Sequence, residues 1–184
     1  LLMEGGDTWQ GSATSDWTRG KDMVGACNML GVDVMTGHWE FTYKDSEVIE
    51  NIGEFNGEFI AQNVHLNEDA QFDYKFEDFD GYNEDDSRAF KPYTIKNVGG
   101  ARVAVIGQAF PYTPIANPQR FMPDWSFGIK DDSMQEMVDQ VRDTEKPDVV
   151  VVLSHNGMDV DLKLASRVTG IDAIVGRPTH DGMP

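Results

Sequence analysis

The sequence predicts a layered α/β domain, and three observations carry that prediction. Short apolar runs of strand length alternate with amphipathic helical segments, two β-rich runs flank a glycine pair, and potential ligand residues sit just past several apolar runs. With 184 residues, 40% of them hydrophobic, the chain can bury one sizeable core, and no compositional shift divides it, so a single domain is expected.

The first element of note is Gly5-Gly6-Asp7-Thr8-Trp9-Gln10-Gly11-Ser12, which sets a carboxylate on a glycine-lined turn after a short apolar run. Two residues without Cβ atoms let backbone pass close to a ligand, and Gly11 lets the chain leave through a turn. Asp7 is therefore a candidate metal ligand, the alternative being a cap for the next helix. Met23, Val24, Cys27 and Leu30 fall at helical spacing within 21–30, with Gly31 as the stop. Residues 32–36 read as a strand that delivers Gly37-His38-Trp39-Glu40 to its C-terminal end, where open α/β sheets place ligands. A short helix over 47–52 and a strand over 59–64, with Asn63 near its end, follow. Residues 66–91 read as an acidic surface loop. Within it Asp78-Phe79-Asp80-Gly81 has part of a calcium loop's composition but not its order of oxygen ligands, so no calcium site is expected.

Residues 91–98 and 101–110, around Gly99-Gly100, predict a hairpin. Pro111, Pro114, Pro118 and Pro123 then make a long loop carrying Phe121, Trp125 and Phe127, which either packs over a core edge or lines a cleft. Met134, Met137, Val138 and Val141 mark an amphipathic helix ended by Pro147. The apolar run 148–153 predicts a buried strand in a covered sheet, 159–168 a helix, and 171–175 a second buried strand.

A formal net charge of −17 argues against nucleic acid or an anionic membrane surface as partner and favours cations. Cys27, the single cysteine, excludes an intrachain disulfide and a cysteine-built zinc site. No run reaches the length of a membrane span, and no signal peptide is visible. Leu1-Leu2-Met3 reads as the tail of a strand already under way, and Pro184 closes the chain just past a candidate ligand, so a fragment cut at both ends is expected.

Asp7, His38, His155 and His180 each follow an apolar run. Imidazole and carboxylate donors without thiolate suit manganese, zinc or iron, and do not select among the three. Two divalent ions bridged by a carboxylate would polarise a bound oxyanion and lower the pKa of a bridging water, so hydrolysis is the expected chemistry. One histidine after a strand is more often a packed residue than a ligand, but three reinforce one another. His65 lacks that support and is expected on the surface. Trp9 and Trp39 are weighed equally as core aromatics and as site residues. Asn156, Asp159 and Asp161 have capping of the helix after His155 as their plainest role, and Asp181 is positioned to orient His180.

Gly5 to Ser12, Gly37-His38-Trp39-Glu40-Phe41-Thr42-Tyr43, Leu153-Ser154-His155-Asn156-Gly157-Met158-Asp159-Val160-Asp161 and Thr179-His180-Asp181 together resemble the SoxB thiosulfohydrolases of the sulfur-oxidising Sox system. These belong to the 5′-nucleotidase branch of the calcineurin-like metallophosphoesterases, and the likeness runs over essentially the whole chain. It implies a four-layered α/β/β/α sandwich truncated at both ends, with residues 1–184 forming part of the N-terminal dimetal domain and a smaller C-terminal domain outside them. It also implies a periplasmic location, two manganese ions, and removal of a terminal sulfonate, as sulfate, from a cysteine-bound adduct on the SoxYZ carrier protein. By the same resemblance Asp7 bridges the metals, His38 takes the place of the relatives' asparagine ligand, His155 binds the same second metal, and His180 binds the first.

Two departures accompany the resemblance. The opening Asp-x-His motif would lie before Leu1, and Pro178 stands where the Gly-His-Thr-His pattern has its other histidine, although proline offers no side-chain donor. On this ligand count the 184 residues alone are expected to bind metal weakly and to be inactive. Trp39 occupies the position where nucleotidases place a histidine beside the transferring phosphoryl group, which makes it a candidate specificity residue. A 5′-nucleotidase-like phosphomonoesterase and a non-catalytic metal-binding module are the competing readings.

Overall fold

The computed structural model describes residues 1–72, 82 and 85–177. In chain order the elements are β1 (Met3–Glu4), α1 (Ala13–Thr18), α2 (Lys21–Leu30), β2 (Val34–Met35), a 3-10 helix (Trp39–Tyr43), α3 (Asp45–Glu54), β3 (Glu58–Phe59) and β4 (His65–Leu66). There follow β5 (Tyr93–Val98), β6 (Ala101–Gln108), α4 (Thr113–Ala116), β7 (Trp125–Ser126), α5 (Asp131–Thr144), β8 (Val149–Ser154), α6 (Met158–Arg167) and β9 (Ala173–Gly176). Strands β1-β2-β3 form a parallel sheet, and β5-β6-β8-β9 a second sheet in which β5 alone runs antiparallel. Strands β4 and β7 make a separate antiparallel pair.

The alternation of side chains along each strand sorts the core into three layers of contact. Ala104, Ile106, Val150 and Val152 face the helices, packing with Met134, Met137, Val138 and Val141 of α5 and Leu164 of α6. Their neighbours Val105 and Leu153 point the other way and meet Val34 and Ile60 between the two larger sheets. On the far side of the first sheet, Met35 and Phe59 join Trp9, Val24, Cys27, Phe41 and Val48, contributed largely by α2, α3 and the turns around them. Helices, sheet, sheet and helices therefore stack in the expected α/β/β/α order. The apolar i, i+3, i+4, i+7 stripe of α5 is buried as its spacing predicts, at about 1.5–3 kcal/mol per large side chain. Asp131 and Asp132 at its first turn and Arg142 at its last complement the helix dipole.

Gly99 and Gly100 both have positive φ, 59° and 89°, and close the β5–β6 hairpin between paired Val98 and Ala101. Ser12 caps α1 in a reciprocal box with Ser15, so Asp7 does not cap that helix. The proline-rich loop does both things open to it. Trp125 is buried against the first core with Phe127 beside it, while Phe121 lines a cleft.

Several expectations need correction. The strands read over 32–36 and 59–64 pair only at Val34–Met35 and Glu58–Phe59. Beyond Phe59 the chain leaves its sheet, because the Ala61 and Gln62 amides donate to the carbonyls of Lys91 and Gly107. The run read as a second buried strand is an edge strand with Val175 exposed: β8 is its only strand neighbour among the described residues. His65 is not a surface side chain. It sits half-buried in β4 with Nδ1 3.0 Å from the Asp86 carbonyl oxygen, and burial, with the nearby Lys130 charge, pushes its pKa down. The segment 78–81 lies outside the described residues. Among the described residues no helix is long and apolar enough to cross a membrane.

Where β6 passes the chain leaving β3, a Cβ added to Gly107 would lie 2.2 Å from the Ile60 carbonyl oxygen. No rotamer relieves a clash with backbone. Gly107→Ala is expected to destabilise the protein by about 3 kcal/mol in urea denaturation. A loss below about 1 kcal/mol would show that the two segments can separate freely.

Candidate metal centre

Asp7 follows β1, His38 follows β2 and His155 follows β8, so all three stand beyond the C-terminal ends of parallel strands. Two of them leave the first sheet and the third leaves the second. Bringing them together requires close backbone approach, which Gly6 permits: at φ 96°, an added Cβ would lie 3.0 Å from His155 Nδ1 and 3.2 Å from the Gly37 backbone. Asp7 itself has φ 67°, a left-handed conformation that aspartate tolerates better than most residues.

The three side chains converge. Asp7 Oδ1 lies 3.0 Å from His38 Nδ1, Asp7 Oδ2 lies 3.3 Å from His155 Nε2, and the two ring nitrogens are 3.1 Å apart. One donor atom from each of the three residues lies within 4.8 Å of the others, close enough for a single divalent ion to be shared among them. His155 Nδ1 is hydrogen-bonded to the Gly5 carbonyl, which can only accept. Nδ1 therefore carries a proton, and Nε2 is the ring nitrogen turned toward Asp7. Burial works against ionisation of Asp7, but the hydrogen bonds and charges of His155 and His38 outweigh it and hold the carboxyl well below the usual range. Burial alone would lower the pKa of His155, and its bond to Asp7 raises it instead. Electron-rich atoms this close repel unless a proton or cation lies among them, and the nitrogen and oxygen donor set suits first-row divalent ions.

Residues to which the sequence assigns no such role hold these three side chains in place. Glu40 is 0% exposed, and its carboxylate accepts backbone N–H groups from Thr8 at 2.7 Å, Trp9 at 3.2 Å and His38 at 2.7 Å. One buried side chain thus joins both ligand loops of the first sheet. Asp161 is not a helix cap. Gly157 occupies the N-cap of α6, and Asp161 reaches back to accept from Ser154 Oγ at 2.6 Å and Asn156 Nδ2 at 3.0 Å, fixing the turn that carries His155. Burial raises its pKa. Phe110 lays its ring 4.0 Å from the His38 ring and donates its backbone N–H to the Gly37 carbonyl. Glu40 stands inside a motif notable for its neighbours, but nothing local in the sequence reveals three amides converging on it, two of them from a segment about thirty residues away, the distance that separates Thr8 from Glu40.

The two tryptophans part company. Trp9 is 0% exposed in the first core, whereas Trp39 is 38% exposed. Trp39 forms one wall of a cavity of about 340 Å³ with Asp7, Gln10, Gly11 and Arg177. A second cavity of about 260 Å³ shares Trp39 and Gln10 and continues to Asn117 and Phe121. His180, with its neighbours Pro178 and Asp181, lies outside the described residues.

No family model matches the sequence. The structure is similar to the sulfate thiohydrolase SoxB from Thermus thermophilus, with a TM-score of 0.86 and 38% identity over 100% of this chain and 31% of that one. It is also similar to a 5′-nucleotidase precursor from Thermus thermophilus, with a TM-score of 0.78 and 28% identity over 96% of this chain and 32% of that one. By sequence it is 28% identical to protein UshA from Yersinia enterocolitica and 26% identical to a snake venom 5′-nucleotidase from Naja atra, over 98% of the chain in each case. The chain spans 32% of the length of each of these two relatives.

Because Glu40 supports two ligand loops at once, Glu40→Gln sets an NH₂ group against backbone donors. It is expected to cost about 2–4 kcal/mol of stability and to weaken manganese binding tenfold or more. Urea denaturation and calorimetric metal titration check the two effects; unchanged metal affinity would show that the loops hold their places without it.

Proposed function

We propose that this chain, a SoxB and 5′-nucleotidase-type calcineurin-like domain, is the dimetal part of a periplasmic hydrolase of thiosulfate oxidation. Its substrate on this reading is a cysteine S-thiosulfonate on the SoxYZ carrier protein. Asp7, His38 and His155 would hold metal, with His180 contributing a further ligand and manganese as the ion. Divalent ions supply Lewis acidity toward water and toward the sulfonate oxygens. In the balanced reaction a water oxygen joins the sulfonate sulfur and the bond from that sulfur to the sulfane sulfur breaks. Sulfate, a persulfide anion on the carrier and two protons are the products.

The observation that carries the choice of substrate is Trp39, half-exposed on the cavity wall beside Asp7. An indole provides no proton near neutral pH. A phosphate monoester expels an alkoxide, which needs protonation or strong charge stabilisation, whereas a thiosulfonate expels a persulfide that is already a stable anion. The sulfonate also carries one negative charge where a phosphate monoester carries about two, by analogy with a phosphorylated side chain. An indole face suits packing against an extended carrier arm and excluding water. The 38% identity to a SoxB, against 28% to a nucleotidase of the same fold, supports the same reading. The second reading is a phosphomonoesterase, favoured by the likeness to UshA and to 5′-nucleotidases.

Trp39→His in the full-length protein separates them. The ratio of phosphomonoesterase activity to thiosulfonate hydrolysis, measured at matched manganese occupancy, is expected to rise by about tenfold or more as an acid-base group is restored. An unmoved ratio would make Trp39 a packing residue and place the discrimination elsewhere.

A further inference from the structure

Arg177 is the residue immediately after β9, and it lines the cavity next to the candidate metal centre together with Asp7, Gln10, Gly11 and Trp39. Among these five residues it is the only cation, in a chain whose formal net charge is −17. Its position is fixed from several directions. The backbone N–H donates to the Ser154 carbonyl at 3.0 Å, tying Arg177 to the residue before His155. The aliphatic stem packs over Gly5, where an added Cβ would lie 3.2 Å from Arg177 Cβ. One terminal nitrogen, Nη1, donates to the Glu4 carboxylate and lies 3.3 Å from the Gly6 carbonyl oxygen. Glu4 is held in turn, since its other oxygen accepts the Gly6 N–H at 2.7 Å.

That arrangement uses one corner of the guanidinium. The Nε and Nη2 donors have no partner among the described residues, and the side chain keeps 44% of its surface exposed although its stem is packed. A guanidinium edge held this way presents two parallel N–H groups at the spacing of two oxygens of a tetrahedral oxyanion. Much of the side-chain entropy that anion binding would otherwise cost is already lost to the Glu4 contact.

We propose that Arg177 is an oxyanion-recognition residue of this cavity, taking two oxygens of a sulfonate or phosphate group through its free edge. The inference rests on the reading of the cavity as a hydrolase's substrate site and names a residue that grips the reacting group. Its single charge matches a singly charged sulfonate, and its fork fixes the direction from which the group enters.

The test needs no turnover. Full-length, manganese-loaded protein is titrated calorimetrically with inorganic sulfate and inorganic phosphate at constant ionic strength, as wild type, Arg177→Gln and Arg177→Lys. Manganese affinity and thermal midpoint are recorded for each. Oxyanion affinity is expected to fall about tenfold or more in Arg177→Gln. In Arg177→Lys, which keeps the charge and can still reach Glu4 but lacks the fork, a fall of about threefold to tenfold is expected at unchanged manganese affinity and midpoint. Oxyanion affinities within about twofold of wild type in both variants would overturn the proposal, given the size of a charged hydrogen bond. So would losses matched by equal losses of manganese affinity, which would make Arg177 only a clamp between β1 and β9. Thiosulfonate turnover is measured separately. A wild type that binds oxyanion through Arg177 yet hydrolyses no thiosulfonate refutes the substrate reading alone, and normal turnover with unaltered anion binding in the variants refutes the role of Arg177 alone.

Discussion

The candidate metal centre depends first on the carboxylate of Glu40, which is spent on backbone amides. Burying Glu40 without a neighbouring cation would cost several kcal/mol if its charge stayed unsolvated. Three backbone amides supply that solvation, and they come from both loops that carry ligands. The loops leave adjacent parallel strands whose register pairs Met3 with Val34 and Glu4 with Met35. Strand register therefore sets how far each loop has to travel, and Glu40 sets where it stops. The 3.0 Å separation of Asp7 from His38 follows from those two constraints together.

The third candidate ligand answers to a different constraint, because His155 arrives from the other sheet. Sheets that pack face to face lie about 10 Å apart, a gap that ligand side chains alone would not close. Here the contact layer of Val34, Ile60, Val105 and Leu153 holds the sheets together, and Gly107 lets backbone meet backbone where the chain crosses between them. Gly5 and Gly6 then close the remaining distance, one offering a carbonyl to His155 and the other leaving room for its ring. The placement of the His155 ring beside Asp7 thus depends on backbone approaching closely at Gly6.

What was legible in the sequence is what has a local cause. The α5 stripe, the glycine-closed hairpin and the apolar run of β8 all follow from periodicity or turn chemistry within a few residues. The reading fails where the cause is distant. Residues 61–63 carry strand composition, yet the Ala61 and Gln62 amides donate to Lys91 and Gly107 instead of continuing the first sheet, and the β9 run is apolar although it lies at an edge. The acidic stretch after His65 suggests a surface side chain, whereas its burial comes from pairing in β4. At the candidate site, residue types and their places after strands point to Asp7, His38 and His155. The parts that orient them, Glu40, Asp161 and Phe110, act through partners remote in sequence or through burial that no motif states.

A scaffold shared by SoxB and by nucleotidases leaves the choice of substrate to side chains that can change without disturbing the ligands. Trp39 meets that condition in a specific way. Its backbone N–H points to Asp7 Oδ1 at 3.3 Å, and it lies between His38 and Glu40 in sequence, so its main chain is held by the same contacts that build the metal centre. Its indole is not so held, and stands half-exposed on the wall of two adjoining cavities. A position with a fixed backbone and a free side chain, on a cavity wall beside Asp7, allows proton-donating capacity to be gained or lost while the placement of Asp7, His38 and His155 is kept. Gln10 shares both cavities with it from the glycine-rich loop, so the two loops that Glu40 joins each supply a lining residue to both cavities.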